Sequence, residues 1–234
     1  MYTQPGPFSS GTKKALLIGI NYKGQRHELR GCNNDIRHIL PWLINQWGYH
    51  PWDIVQLTDE GYGPLPTRRN ILDEMHRLVF NARAGDSLFF HFSGHGSQIR
   101  DLDGDEVDGY DEVIFPVDFQ ESGVISDDEI HEIMVKPLVA GSRLTALFDS
   151  CHSGTVLDLP YLYDSIEREF VDGVTPGARD RKQSQGQVVC FSGCGDSKES
   201  ESVTLPGQSI GGLMTSAFVH VFGPCRTLIA VSTS

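Results

Sequence analysis

Ser93-Gly-His-Gly-Ser97 and Asp149-Ser-Cys-His-Ser-Gly154 are the two segments of this chain whose residue types could do chemistry together. A thiol near its free pKa of about 8.5 is mostly protonated at neutral pH, so a nucleophilic cysteine needs an imidazole or a positive field beside it. His95 can supply that to Cys151, and the same imidazole can then protonate a leaving amine. Backbone amides around Cys151 and the glycines of both segments can donate to a developing oxyanion. Acyl transfer is the reaction class implied, with Cys151 as nucleophile and His95 as its proton-transfer partner. A single cysteine is more often a small buried hydrophobe, but a buried strand would not normally finish in Asp-Ser-Cys-His-Ser-Gly. A phosphate loop of the tyrosine-phosphatase type wants Arg six residues after the cysteine, where Leu157 stands. Zinc would need further ligands, and no C-x-x-C or H-x3-H spacing supplies them. His152 beside Cys151 would point away if its turn is extended.

Both segments follow apolar runs of strand length, residues 86–92 and 143–148. Other runs of this kind lie at 14–20, 53–58, 112–117 and 187–191. Between them, apolar residues recur at three- and four-residue spacing. Ile36, Ile39, Leu40, Leu43, Ile44 and Trp47 mark a helix over 33–47 that stops at Gly48, and Ile71, Leu72, Met75, Leu78 and Val79 mark one over 67–82. Shorter helices are expected over 127–135 and near 215–222. Helices that alternate with strands imply an α/β fold with a mainly parallel central sheet, right-handed crossovers and helices on both faces. Parallel neighbouring strands would deliver His95 and Cys151 together at the carboxyl edge of the sheet, where such folds form their sites.

With 234 residues, 39 % of them apolar, one domain with one core is the default. Nineteen Lys and Arg against 31 Asp and Glu give a formal charge of −12. That field repels nucleic acid and anionic membrane and suits basic partners or cations. Five cysteines, Cys32, Cys151, Cys190, Cys194 and Cys225, lack the spacing of a disulfide scaffold, so a reducing cytoplasm or nucleus is expected. Residues 1–12 read as a flexible lead-in without the apolar core of a signal peptide, and no run approaches the ~20 apolar residues of a membrane span. Gly, Pro, Ser, Gln and charge over 172–186 predict a solvent-exposed linker between a larger region, 13–171, and a smaller one, 187–234.

The two chemical segments resemble the catalytic His and Cys motifs of metacaspases, and their separation is similar to the caspase spacing of about 50 residues. Ala15-Leu-Leu-Ile-Gly-Ile-Asn-Tyr22, Leu29-Arg-Gly-Cys-Asn-Asn-Asp35, Phe191-Ser-Gly-Cys194 and Gly211-Gly-Leu-Met-Thr215 extend the resemblance over about 14–222. It implies a caspase-like three-layer sandwich and a monomeric peptidase that cleaves polypeptides after Arg or Lys, with calcium activating but taking no part in the chemical step. The short linker resembles the type I branch. The resemblance puts Cys32, Asp35, Ser93 and Asp149 in the pocket for the basic side chain, where paired carboxylates favour a guanidinium or ammonium over a substrate Asp. Asp35 also suits the start of a helix, where its charge would meet the macrodipole.

The run Asp101-Leu-Asp-Gly-Asp-Glu-Val-Asp-Gly-Tyr-Asp-Glu112 imitates an EF-hand loop, with Asp at positions 1, 3 and 5 and Glu at 12. Glu106 at position 6, where that loop needs Gly, and flanks that read as strands argue against it. An oxygen-rich calcium site remains, and by resemblance it uses Asp111, Asp127, Asp128 and Asp158. Asp127 and Asp128 equally suit the start of a helix after Ser126. Arg179, Arg181 and Lys182 in the linker are candidate self-processing positions for a basic-specific peptidase. After the Gly-Gly-Leu-Met-Thr helix the family continues with more helix and a closing strand, whereas Gly223-Pro-Cys-Arg226 follows here. The resemblance therefore implies a truncated or divergent C-terminus, with 227–231 as a short substitute strand. That ending supports a second reading, a catalytically impaired caspase-like binding or regulatory protein. A calcium-binding regulator is the third.

Overall fold

The structure, a computed structural model, describes residues 11–61, 63–164, 168–193, 202–203 and 211–222. Nearly all of the expected lead-in 1–12 and the expected strand at 227–231 lie outside the described residues. In chain order the elements are β1 (Lys13–Gly19), α1 (Cys32–Trp47), β2 (Ile54–Thr58), α2 (Arg68–Val79), β3 (Ser87–Ser93), β4 (Gly96–Arg100), β5 (Tyr110–Ile114), α3 (Phe119–Ser122), β6 (Ile125–Ser126) and α4 (Asp127–Ile130). A single π turn, His131–Val135, extends α4. There follow β7 (Arg143–Asp149), β8 (Tyr161–Asp164), β9 (Glu169–Asp172), β10 (Gln187–Ser192), β11 (Ser202–Val203), β12 (Gly211–Gly212) and α5 (Leu213–Val221).

The central sheet has the order β10-β7-β3-β1-β2, and every pairing in it is parallel. Alternation along β1 sends Leu16 and Ile18 to one face and Ala15 and Leu17 to the other, all buried, as a strand covered on both sides requires. On the first face α2 and α4 bring Ile71, Met75 and Ile130 onto Leu16, Phe90, Phe92 and Phe148. On the second, α1 and α5 bring Ile39, Leu43 and Phe218 onto Ala15, Leu17, Phe89 and Leu147. These are the three layers expected from the sequence, and each fully buried Phe or Leu contributes roughly 1.5–3 kcal/mol.

Local chemistry sets the helix ends. Gly48 adopts φ 66° and its amide bonds back to the Leu43 carbonyl, closing α1. Thr67 Oγ1 accepts from the Asn70 amide to open α2. Ser126 and Glu129 cap each other reciprocally at the start of α4.

Three regions depart from expectation. Gly96–Arg100, where the sequence shows no apolar run, forms β4, which pairs antiparallel with β5, and β5 with β6. Tyr161–Asp164 and Glu169–Asp172 form a hairpin that the sequence did not reveal. Residues 172–186 are exposed at several positions, Arg181 among them, but the segment is also anchored to the core. Val174 and Ala178 are fully buried and Lys182 is 6 % exposed, while the Thr175 amide bonds to the Asp105 carbonyl at 2.8 Å. The polar composition misleads because the one charge this segment buries is neutralised by carboxylates from elsewhere in the chain.

Candidate active site

β3 and β7 run parallel with Ser93 opposite Asp149, so His95 and Cys151 each stand two residues past a paired end on the same edge of the sheet. The two turns touch through the backbone. The Gly94 amide approaches the Asp149 carbonyl at 3.4 Å, and a Cβ on Gly96 would overlap the Cys151 carbonyl, so that position tolerates only glycine. His95 and Cys151 line one cavity together with Leu29, Cys32, Asp35, Ser93 and Asp149.

The imidazole is held in a defined tautomer. His95 Nε2 lies 2.7 Å from the His27 carbonyl, and a carbonyl can only accept, so Nε2 carries the proton and Nδ1 is the basic nitrogen. The backbone of the turn is fixed by Tyr22, whose hydroxyl accepts from the His95 amide at 3.0 Å and donates to the Phe115 carbonyl at 2.6 Å. The Tyr22 ring also packs 4.6 Å, centroid to centroid, from the imidazole. Burial holds this phenol well above its ordinary pKa, so it stays a neutral donor. The sequence did not single out His27 or Tyr22 for these roles. A backbone carbonyl carries no side-chain signal, and Tyr22 stood only as the end of a similar stretch.

Two cysteines line the cavity and differ in chemistry. Cys32 is buried, and burial pushes its thiol up to about 12 against the opposing hydrogen bond of Ser93. It therefore stays protonated. Cys151 is half-buried at the rim, where a substrate carbonyl has access. The turn after it is not extended, because His152 takes φ 49°, yet His152 is not among the residues that line the cavity. His91, on β3, is fully buried with Nε2 3.0 Å from Thr215 Oγ1, and burial pulls its pKa down to about 3, which makes it a neutral packing group.

Opposite the dyad sit the carboxylates of Asp35 and Asp149. Asp35 is fully buried, accepts from Ser93 Oγ at 2.6 Å and from the Gly212 amide at 2.8 Å. Asp149 accepts from the Thr215 amide at 2.8 Å. β12 threads between them, and a Cβ on Gly212 would overlap the Asp149 carboxylate. Burial, with the charge of Asp149 adding to it, raises Asp35 from an ordinary 3.8 to about 7, against the hydrogen bonds from Ser93 and Gly212. A cation entering beside these carboxylates would offset that repulsion. Cys32, Asp35, Ser93 and Asp149 are thus all placed in this cavity.

A second acidic cluster lies beside it in sequence. Carboxylate oxygens of Asp111, Asp127 and Asp128 converge within 4.8 Å, while Asp158 converges with Asp105 and Glu106. The four residues that the resemblance named therefore fall in two adjoining groups, joined by the ammonium of Lys182, which contacts Asp128 and Asp158. Asp101, Asp103, Asp105, Glu106 and Glu112 complete the cluster. The Asp101–Glu112 run carried them in plain view, but an EF-hand template hid which way each side chain turns. Asp158 Oδ1 and Glu106 Oε1 are buried without a hydrogen-bond partner, and burial, with like-charge repulsion added, raises the pKa of both residues, at Asp158 against the pull of the Lys182 ammonium. Oxygen-only donors with buried lone pairs to spare fit a hard divalent cation such as calcium. The cluster is tied to the nucleophile's own segment by a hydrogen bond from Thr155 Oγ1 to Glu112.

Of the expected self-processing residues, Arg181 is exposed. Arg179 pairs with Asp172 and lies over the Tyr161 ring, and Lys182 is inside the acidic cluster rather than on a mobile surface.

A three-layer parallel α/β core with a His turn and a Cys turn meeting at its carboxyl edge defines a caspase-like fold. The sequence profile of the metacaspase peptidase C14 domain matches residues 13–160, and the chain belongs to this family of cysteine peptidases. Metacaspase-1B of Neurospora crassa is 46 % identical over 253 aligned residues, which cover 90 % of this chain and 59 % of that protein. Metacaspase-1 of Ajellomyces capsulatus is 45 % identical, with 90 % of this chain and 70 % of the relative covered. Metacaspase-1 of Botryotinia fuckeliana reaches 61 % over 158 residues, 67 % of this chain and 38 % of that one. The chain thus spans between about two fifths and seven tenths of these relatives. A crystal structure of a protein from Geobacter sulfurreducens shares the fold, with a TM-score of 0.60 at 22 % identity over 90 % of this chain and 82 % of that one. Among the described residues no helix is long and apolar enough to cross a membrane.

Proposed function

We propose that this chain is a calcium-activated cysteine endopeptidase that cleaves polypeptides after Arg or Lys. The observation that carries this reading is a single cavity that holds His95, Cys151 and the paired carboxylates of Asp35 and Asp149. A substrate guanidinium pairs with Asp35 and Asp149 and brings the following carbonyl to Cys151. The thiol proton passes to His95 Nδ1 as sulfur bonds the carbonyl carbon. Backbone amides at Gly96 and Cys151 receive the oxyanion. Collapse breaks the C–N bond, the amine takes the proton from His95, and an acyl-enzyme remains. Water, deprotonated by the same imidazole, then releases the new carboxylate and restores the thiol.

Asp111, Asp127, Asp128 and Asp158 would hold calcium, with Asp105 and Glu106 adjoining. There it would supply fixed positive charge that orders the segment after Cys151, away from the chemical step. Arg181 is the exposed candidate for self-cleavage. The charge of −12 disfavours nucleic acid and anionic membrane as partners, and by family resemblance the protein would act as a monomer on polypeptides in the cytoplasm or nucleus.

Purified protein given Arg-, Lys- and Asp-terminated reporter peptides with and without calcium, beside Cys151→Ala, tests the reading. Calcium-dependent cleavage of the Arg and Lys reporters that Cys151→Ala abolishes is the expected result. Calcium binding with no hydrolysis by the parent protein would leave a binding or regulatory protein instead.

A further inference from the structure

Lys182 Nζ lies 2.5 Å from Asp105, 2.6 Å from Asp128 and 2.6 Å from Asp158. The three carboxylates come from the β4–β5 loop, from α4 and from the segment after β7. The ammonium donates to Asp128 and Asp158, while Asp105 Oδ2 is a close ion-pair contact without a hydrogen bond of its own. The geometry leaves Asp158 Oδ1 and Glu106 Oε1, on residues 0 % and 7 % exposed, without a donor. A lysine therefore sits where a cation belongs and satisfies part of what surrounds it. Calcium takes six to eight oxygens and two charges, so it would use the oxygens that an ammonium leaves over.

We propose that Lys182 is a tethered counter-ion that calcium displaces from the acidic cage, and that this exchange frees the basic segment around Arg181 and Lys182 for cleavage. The inference rests on the calcium reading above and adds to it the group that calcium must compete with.

The attachments of the segment favour a reversible lock. Its backbone is held at Lys182 by the buried His131, whose Nε2 lies 3.1 Å from the Lys182 carbonyl, and Ser184 Oγ donates to the Val135 carbonyl at 2.9 Å. Both are single neutral hydrogen bonds of modest net worth. With Lys182 in the cage, its side chain cannot reach the Asp35 pocket, so the bond after it is protected. Once calcium fills the cage, Lys182 and Arg181 become available as substrate side chains. Cation binding and exposure of the cleavage segment are then one equilibrium.

The full chain carrying Cys151→Ala, which cannot cut itself, provides the test. Lysine acetylation mapped by mass spectrometry should find Lys182 protected without calcium and modified with it. Calorimetric titration should show Cys151→Ala/Lys182→Met binding calcium about tenfold more tightly or better, because the competing closed state is gone. Calcium binding with Lys182 still protected would overturn the exchange and leave the calcium site standing. Absence of calcium binding to either protein would remove the calcium reading itself. The labelling arm keeps Lys182 intact, so it decides the matter even if Lys182→Met fails to fold.

Discussion

Two acidic sites in this molecule solve the same electrostatic problem in opposite ways. In the cavity beside the dyad, a hydroxyl and backbone amides hold Asp35 and Asp149, and among the described residues no Lys or Arg forms an ion pair with Asp35. In the cage, Lys182 fills the centre of the cluster with the chain's own charge. The first site keeps its carboxyl at the edge of ionisation, with Asp35 at about 7, ready to gain from an external cation. The second is already compensated by Lys182, which on the exchange proposed above a new cation would evict. On the proposed reading, recognition of substrate and control by metal would differ by whether the counter-charge is built in.

Asp35→Asn should break the comparison most severely. Removing one charge of a buried pair costs several kcal/mol, so kcat/KM on Arg reporters should fall by about 100-fold or more. Thermal unfolding should move the other way. The folded-state pKa of Asp35 is raised, so its favourable contribution is present below about pH 4 and lost as pH rises through about 7. Asp35→Asn, which cannot ionise, should therefore melt above the parent protein at pH 8, with the difference shrinking toward pH 4.

A smaller effect is expected at the support of the imidazole. Tyr22→Phe leaves the His95 amide and the Phe115 carbonyl without the hydroxyl they share. A loss of about 1–3 kcal/mol in stability follows from the unsatisfied buried groups. Steady-state kinetics should show kcat lower by roughly tenfold, part of the about 100- to 10,000-fold that a positioned acid–base contributes, with KM nearly unchanged, because the acid pocket is untouched. An equal loss in KM would mean that Tyr22 shapes the substrate pocket instead.

How much of this was legible in the sequence follows from the range of the interactions involved. Apolar runs and helical periodicity are local, so the parallel sheet, its covering helices and the edge where His95 and Cys151 emerge could all be read off. β4 could not, because Gly96-Ser-Gln-Ile-Arg100 is a partly exposed strand outside the core sheet, without an apolar run. Lys182 was unreadable for a deeper reason. A lysine in a Gly/Ser/Gln stretch looks solvated, and its burial depends on Asp105, Asp128 and Asp158, none of them its sequence neighbours. His27 contributes only a carbonyl, which any residue type would provide.

The central claim is that Cys151 attacks a carbonyl whose preceding side chain is basic and lies against Asp35 and Asp149. The most direct measurement is covalent trapping with peptides that carry an electrophilic ketone after Arg or after Asp, in calcium, followed by mass mapping of the modified residue. The account predicts rapid modification of Cys151 by the Arg reagent and little by the Asp reagent. Modification at Cys32 or another cysteine, or equal reaction with both reagents, would contradict it.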